Sequence, residues 1–232
     1  MQRNPRTAEL VFVPTDVPLP SLSKLAAVLT SEETEHAARF HFEADRRRSI
    51  VGRASLRHLL SHRLGGDARQ FRFERGAHGK PFLPNSEYHF NLSHSGGVVA
   101  IALAKDDIGV DIEARREVSG IGRVAARFFS SDEAERVHTA MDPTDAFLRI
   151  WVMKEAVVKA AGGGIYLPLD RFAVPSSAKV PQPLQLFGDA PMLAGWSVVE
   201  AEVRDGYYGA VAMRGSAWQV AARWEDPLDL LR

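Results

Sequence analysis

Pro143-Thr144-Asp145-Ala146-Phe147-Leu148-Arg149-Ile150-Trp151-Val152-Met153-Lys154-Glu155-Ala156-Val157-Val158-Lys159-Ala160-Ala161, closed by Gly162-Gly163-Gly164, is a stretch with both a start and a stop written into it. Asp142 supplies an N-cap oxygen, Pro143 sits at the first helical position where a missing N–H costs nothing, and the glycines end the periodic pattern. The spacing therefore predicts a helix over 143–161. At about 100° per residue, Phe147, Ile150, Trp151, Val157, Val158 and Ala161 fall on one stripe, and Glu155 and Lys159, four apart, share its edge. Taken alone, that pair reads as an ordinary surface ion pair contributing a few tenths of a kcal/mol. Lys154 is the misfit. It falls near the middle of the apolar stripe, where an ammonium needs a partner or a polar route, and the expectation is that it reaches a cleft edge.

Working outward, Ser130-Ser131-Asp132-Glu133 is a capping box that opens a preceding helix to about Ala140. Beyond the glycines, Leu167 to Val174 and Trp196 to Val203 read as strands, and Tyr207 to Met213 with Trp218 to Ala222 reads as a hairpin about Gly215-Ser216. Towards the N-terminus, Ala8 to Val13 is a strand, Pro14 to Pro20 a proline-broken loop, and a helix follows from about Ser21. Ser31 marks a new helix start, and Glu43 to Leu64 is a long helix stopped by Gly65-Gly66. Arg46, Arg47 and Arg48 lie in its first turns; helical residues fan out by about 100°, so at most two can converge on one ligand. Taken alone, the run reads as a solvated basic face. His58 and His62 have metal-ligand spacing, but Leu59 stands where a zinc protease needs its glutamate.

The densest region is central. Phe71 to Glu74 reads as a strand, Gly76 to Pro81 as a glycine-rich loop with the cation Lys80, and Pro84-Asn85-Ser86 as a turn. His89 to Ser95 is a strand, Gly96-Gly97 a bend, and Val98 to Ala104 with Ile108 to Glu113 a hairpin about Lys105-Asp106-Asp107. In its last strand Val110 and Ile112 face the core, whereas Gly109, Asp111 and Glu113 share the other face. Two carboxylates about 7 Å apart along a strand can be bridged by one oxygen-loving cation, or balanced by Arg115 and Arg116. Gly109 leaves room for a ligand to approach the backbone. Ser93-His94 is not a hydrolase pair, because adjacent strand residues face opposite ways and no G-x-S-x-G elbow occurs.

At 232 residues and 45% hydrophobic content the chain can bury a substantial core, and 29 basic against 29 acidic residues leave no global pull towards nucleic acid or a membrane surface. The lack of cysteine removes disulfides, thiolate zinc sites and cysteine nucleophiles. No signal peptide and no apolar run of about 18 residues is found, so the expected setting is cytoplasmic, with no membrane partner. Ala100-Ile101-Ala102-Leu103 echoes Ala210-Val211-Ala212-Met213 at an offset of 110 residues, each preceded by helix and followed by a turn and strand. This suggests an α+β fold made of two similar halves, 1–105 and 106–232, in pseudo-twofold duplication, with the active site in the cleft between them.

Asn91-Leu92-Ser93-His94-Ser95, Gly109-Val110-Asp111-Ile112-Glu113 and Trp151-Val152-Met153-Lys154-Glu155-Ala156-Val157-Val158-Lys159, with Gly79-Lys80-Pro81 upstream, resemble the Sfp-type 4′-phosphopantetheinyl transferases from about Arg39 to Val174. The resemblance implies a monomer that takes coenzyme A as substrate, binds Mg²⁺ or Mn²⁺, and moves the phosphopantetheine arm onto a serine of an acyl or peptidyl carrier protein. It implies Asp111, Glu113 and Glu155 as metal ligands, Glu155 as base, and Lys159 as phosphate clamp. Coenzyme A would be held by Arg47 or Arg48, Lys80 with Pro81, Ser93, His94 and Lys159. Glu33, Glu35 and His36 stand where relatives can carry lysines. Another metal-dependent phosphoryl-transfer enzyme would use the same carboxylates, and a non-catalytic carrier-binding module would keep the fold while losing them.

Overall fold

The computed structural model describes residues 6–164 and 167–231. The elements run β1 (Arg6–Pro14), α1 (Leu19–Ala26), α2 (Ser31–Ala38), α3 (Glu43–Leu64), β2 (Glu74–Arg75), β3 (Pro81–Phe82), β4 (His89–Ser95), β5 (Val98–Ala104), β6 (Ile108–Ala114), α4 (Ile121–Phe128), α5 (Ser131–Thr139), α6 (Pro143–Ala161), β7 (Phe172–Ala173), β8 (Gln182–Pro183), β9 (Gln185–Leu186), β10 (Trp196–Glu200), β11 (Tyr207–Arg214) and β12 (Trp218–Trp224). The fold is mixed α+β. Two four-stranded sheets, β12-β1-β5-β4 and β6-β11-β10-β8, form its centre.

Neither hairpin expected at the Lys105–Asp107 or Gly215-Ser216 turn forms. β5 stays between β1 and β4, while β6 crosses to pair antiparallel with β11, placing Asp111 opposite Ala210. In the same way β11 stays between β6 and β10, while β12 crosses back to run parallel with β1, Arg6 opposite Trp218 and Phe12 opposite Trp224. A short turn fixes which strands follow one another, not which ones pair. β5 is buried at every position and β6 through Ile112, so both faces of these strands need cover. Sheets packed face to face give that cover, with Leu10, Ala100, Ala102, Val110, Val211 and Met213 in one shared core. The bend at Gly96-Gly97, by contrast, does join paired strands, β4 with β5, with Ser95 opposite Val98 and Gly96 at φ 56°. The expected strands at Phe71–Glu74 and Leu167–Val174 shrink to two-residue pairings, β2 with β3 and β7 with β9.

The α6 limits match the 143–161 reading. The Asp142 carboxylate accepts from the Asp145 N–H, and Gly162 closes the helix in the left-handed region. Its buried surface is wider than one stripe, since Leu148, Val152, Met153, Ala156 and Ala160 are also buried. The cause is its position, packed on β6 and β11 and flanked by α4 and α5.

Lys154 does not reach a cleft edge. It is 0% exposed and pairs with Glu133 at 2.8 Å, while donating to the carbonyls of Leu169 at 2.7 Å and Phe172 at 2.5 Å. The Glu133 carboxylate also accepts from Ser130 N–H and Val174 N–H, which ties the start of α5 to the segment after α6. The first helical layer carries the same device. Arg57 of α3 pairs with Glu33 of α2 at 2.9 Å and donates to the carbonyls of Ala68 and Phe71, and Glu33 accepts from the capping Thr30 N–H. Each cation also lies over a ring, Arg57 over Phe73 and Lys154 over Phe172. Removing one member of such a pair strands a buried charge and costs about 3–5 kcal/mol.

Candidate active site

β4 and β6 belong to different sheets, yet they lie against each other without a main-chain ladder. Side chains at alternate positions of β4 make the junction. The Asn91 Oδ1 accepts from Val110 N–H at 2.9 Å, Ser93 Oγ donates to Asp111 Oδ1 at 2.7 Å, and Ser95 Oγ donates to Glu113 Oε2 at 2.7 Å while accepting from Ala114 N–H. Period-2 alternation thus turns Asn91, Ser93 and Ser95 inwards, and all three are buried. His94 lies on the exposed face. Asn91 and Ser95 stand in the quoted motif but received no role from the sequence; the available signal was three small polar residues at i, i+2 and i+4 of the strand, all on one face.

Lys159 reaches this seam from α6. Its ammonium donates to Asp111 Oδ1 at 2.6 Å and to Ser93 Oγ at 3.0 Å, so its carboxylate partner is Asp111 and not Glu155. Burial raises the Asp111 carboxyl above the usual range, and the Lys159 ammonium opposes that shift. Its second oxygen, Oδ2, is buried without a hydrogen-bond partner. Glu155, one turn back on α6, is raised chiefly by burial and then by the charge of Asp111, with Glu113 adding to it. Glu113 is held by Ser95 and by Arg116 at 2.9 Å, whereas Arg115 turns away to Asp142. Among the described residues no three carboxylates or imidazoles gather closely enough to enclose an ion.

On the exposed side of β4, Arg48 and Lys159 lie close enough to His94 for their charges to act on its ring. The His94 imidazole is held below its ordinary value by desolvation and by the positive charges of Arg48 and Lys159. Arg48 donates to the Gly96 carbonyl at the β4–β5 bend and pairs with Asp45. Arg47 points elsewhere, donating to the Val17 carbonyl at 2.7 Å and to Glu43. Lys80 is likewise occupied, donating to the carbonyls of Ile108 at 2.8 Å and Ala160 at 3.2 Å; desolvation lowers its ammonium to about 8. Pro81 pairs opposite Arg75 and lines a cavity of about 200 Å³ with His36, Arg39, Ser49, Arg53 and Arg75. Glu33 at that cavity is neutralised by Arg57.

Gly109 makes no room for a ligand. A Cβ there would sit 2.0 Å from the Ala156 carbonyl oxygen and 2.3 Å from the Ala160 nitrogen, so its bareness admits the backbone of α6. Trp151 stacks on Phe147, which stacks on Phe129, at centroid separations of 5.7 and 5.3 Å, and so anchors the start of α6 in the core.

No described helix is long and apolar enough to cross a membrane. A family model described as 4′-phosphopantetheinyl transferase, N-terminal, matches residues 18–106, and one described as the 4′-phosphopantetheinyl transferase superfamily matches residues 107–212. The chain is 36% identical over 214 residues to the 4′-phosphopantetheinyl transferase HetI of Nostoc sp., covering 89% of this chain and 87% of that protein. It is 34% identical over 154 residues to the 4′-phosphopantetheinyl transferase Sfp of Bacillus subtilis, covering 65% and 68% respectively. Against the human L-aminoadipate-semialdehyde dehydrogenase-phosphopantetheinyl transferase it is 28% identical over 204 residues, covering 79% and 66%. Two family matches that abut beside the seam, and a relative aligned over most of both chains, lead to one conclusion: the chain belongs to the 4′-phosphopantetheinyl transferase superfamily, with the Sfp-type enzymes.

Proposed function

We propose that the protein transfers the 4′-phosphopantetheine arm of coenzyme A to a serine of an acyl or peptidyl carrier protein, in the cleft between two duplicated halves that divide near residue 105. The observation that carries this reading is the seam itself, where Lys159 and Asp111 meet across α6 and β6 with Glu155 one turn away. The carrier serine oxygen attacks the pantetheine-side phosphorus, the bond to the bridging pyrophosphate oxygen breaks, and adenosine 3′,5′-bisphosphate leaves with that electron pair. Glu155, its affinity for a proton raised by burial and by Asp111, accepts the serine proton. Lys159 stands where charge develops on the phosphates. His94 and Arg48 face the nucleotide phosphate, with Arg47 and the Lys80-Pro81 loop bordering the coenzyme A site.

In donor chemistry Mg²⁺ or Mn²⁺ fits Asp111, whose Oδ2 is unpartnered, together with Glu113 and Glu155, hard oxygen donors that repel one another, although among the described residues the three do not gather closely enough to enclose an ion by themselves. Bound there, the ion would offset pyrophosphate charge. The match of β1, α3, β5 and β4 with β6, α6, β11 and β10 in pairing and order supports the duplication, as does the shared Arg57–Glu33 and Lys154–Glu133 device. The protein acts as a cytoplasmic monomer on this reading. The test is labelling of a panel of carrier proteins with a fluorescent coenzyme A analogue. The wild type should label at least one carrier, Glu155→Gln should lose labelling while remaining folded, and exhaustive chelation should abolish turnover; near-normal labelling by the Gln variant would sink the mechanism.

A further inference from the structure

We infer that Lys80 is a positioning residue of the transfer site, riveting the last turn of α6 to the first residue of β6 and thereby setting where Lys159 stands. Its kinetic consequence rests on the transferase reading; its structural consequence does not. The Lys80 ammonium donates to Ala160 O and Ile108 O, the residues next to Lys159 and Gly109. The carbonyls in the last turn of a helix have no intrahelical partner, and that end carries the negative pole of the helix, so an ammonium there satisfies an orphan acceptor and a charge at once.

The same turn is fixed from a second side. The Ala156 carbonyl and the Ala160 nitrogen lie against Gly109, closer than any side chain would permit. The loop that bears Lys80 makes a third contact, since the His78 Cβ lies 3.3 Å from where a Cβ on Gly164 would be. The loop therefore closes over the end of α6. None of the Lys80 hydrogen bonds goes to Ser93, His94, Asp111 or Lys159. Its effect on these groups passes through the backbone of α6, which carries Lys159 to Asp111 and Ser93.

The test uses Lys80→Met, which keeps the apolar stem, and Lys80→Arg, which can donate to both carbonyls. Two readouts are taken on the full chain: amide hydrogen exchange without ligands, and steady-state kinetics with coenzyme A and a carrier protein. The Met variant should exchange faster over residues 156–164 with α3 unchanged. Its kcat should fall at least about tenfold with the KM for coenzyme A within about threefold. The Arg variant should recover most of both. A large rise in KM at unchanged kcat and unchanged exchange would make Lys80 a direct coenzyme A contact and overturn the inference. If the wild type transfers nothing, the exchange result alone decides it, and only the functional reading falls.

Discussion

Replacing Gly109 by alanine should damage activity more than any other single methyl group added to this protein. The added Cβ would lie 2.0 Å from the Ala156 oxygen and 2.3 Å from the Ala160 nitrogen, where Cβ atoms essentially never come within 3.0 Å. Both obstructing atoms belong to the helix backbone, so no rotamer change relieves the clash. Either α6 retreats by roughly 1 Å or β6 buckles, at an overpacking cost of about 1–3 kcal/mol. Glu155 and Lys159 flank the displaced residues and move with them. A misplacement of about 1 Å in a catalytic group costs about a hundredfold in rate. The assay is kcat/KM for carrier modification beside a thermal melt, with Gly52→Ala on α3 as control. There the nearest atoms to the new Cβ belong to the Val99 and Leu92 side chains, at 3.3 and 3.7 Å, and side chains can shift. The control should keep its activity and stay within about 1 kcal/mol of wild-type stability. A Gly109→Ala enzyme within threefold of wild type, with an unchanged melting temperature, would refute the close-packing argument.

Further predictions follow from the buried charges. Lys154→Met should lose about 3–5 kcal/mol, because Glu133 is left buried and unpaired. Lys154→Arg should lose much less, since Arg57 makes the equivalent set of contacts in the other layer, and urea titration of both variants distinguishes the two costs. Lys80 has its folded value lowered to about 8 from an ordinary 10.5, so the unfolded chain binds more protons between those values. Its contribution is therefore fully present above 10.5 and is lost as pH falls through 8. Wild-type stability relative to Lys80→Met should rise by up to about 3 kcal/mol over that window, less whatever solvent screening removes. A flat difference in unfolding free energy across the window would contradict this.

What could be read from the chain divides along physical lines. The ends of α6 were legible to the residue because Asp142, Pro143 and Gly162 act within one turn. The shared face of Gly109, Asp111 and Glu113 was legible because strand alternation is strictly local. The exchange of β6 and β12 between sheets was not, since a tight turn looks alike whether its two strands pair or part. A glycine in a strand announces a close approach, but its own sequence does not say whether a ligand or a helix makes it. Lys154 and Glu133 stand 21 residues apart in the chain, and only the packing of α5 on α6 brings them together. Lys80 read as an exposed loop cation because its two carbonyl acceptors come from β6 and α6, both far downstream.

The parallel pairing of β1 with β12 also sets a timetable for biosynthesis. β1 can pair with β5 once residue 104 has left the ribosome, but its other edge waits for Trp218–Trp224. At about 5–20 residues per second, the wait after β5 lasts about 6–24 s. Through that interval the nascent chain presents an open edge bearing Leu10, Val11 and Phe12, a template for pairing with a neighbouring chain on the same message. Slowed translation between residues 104 and 218 should therefore promote misassembly on polysomes, whereas the same sequence refolded in dilute solution escapes that competition.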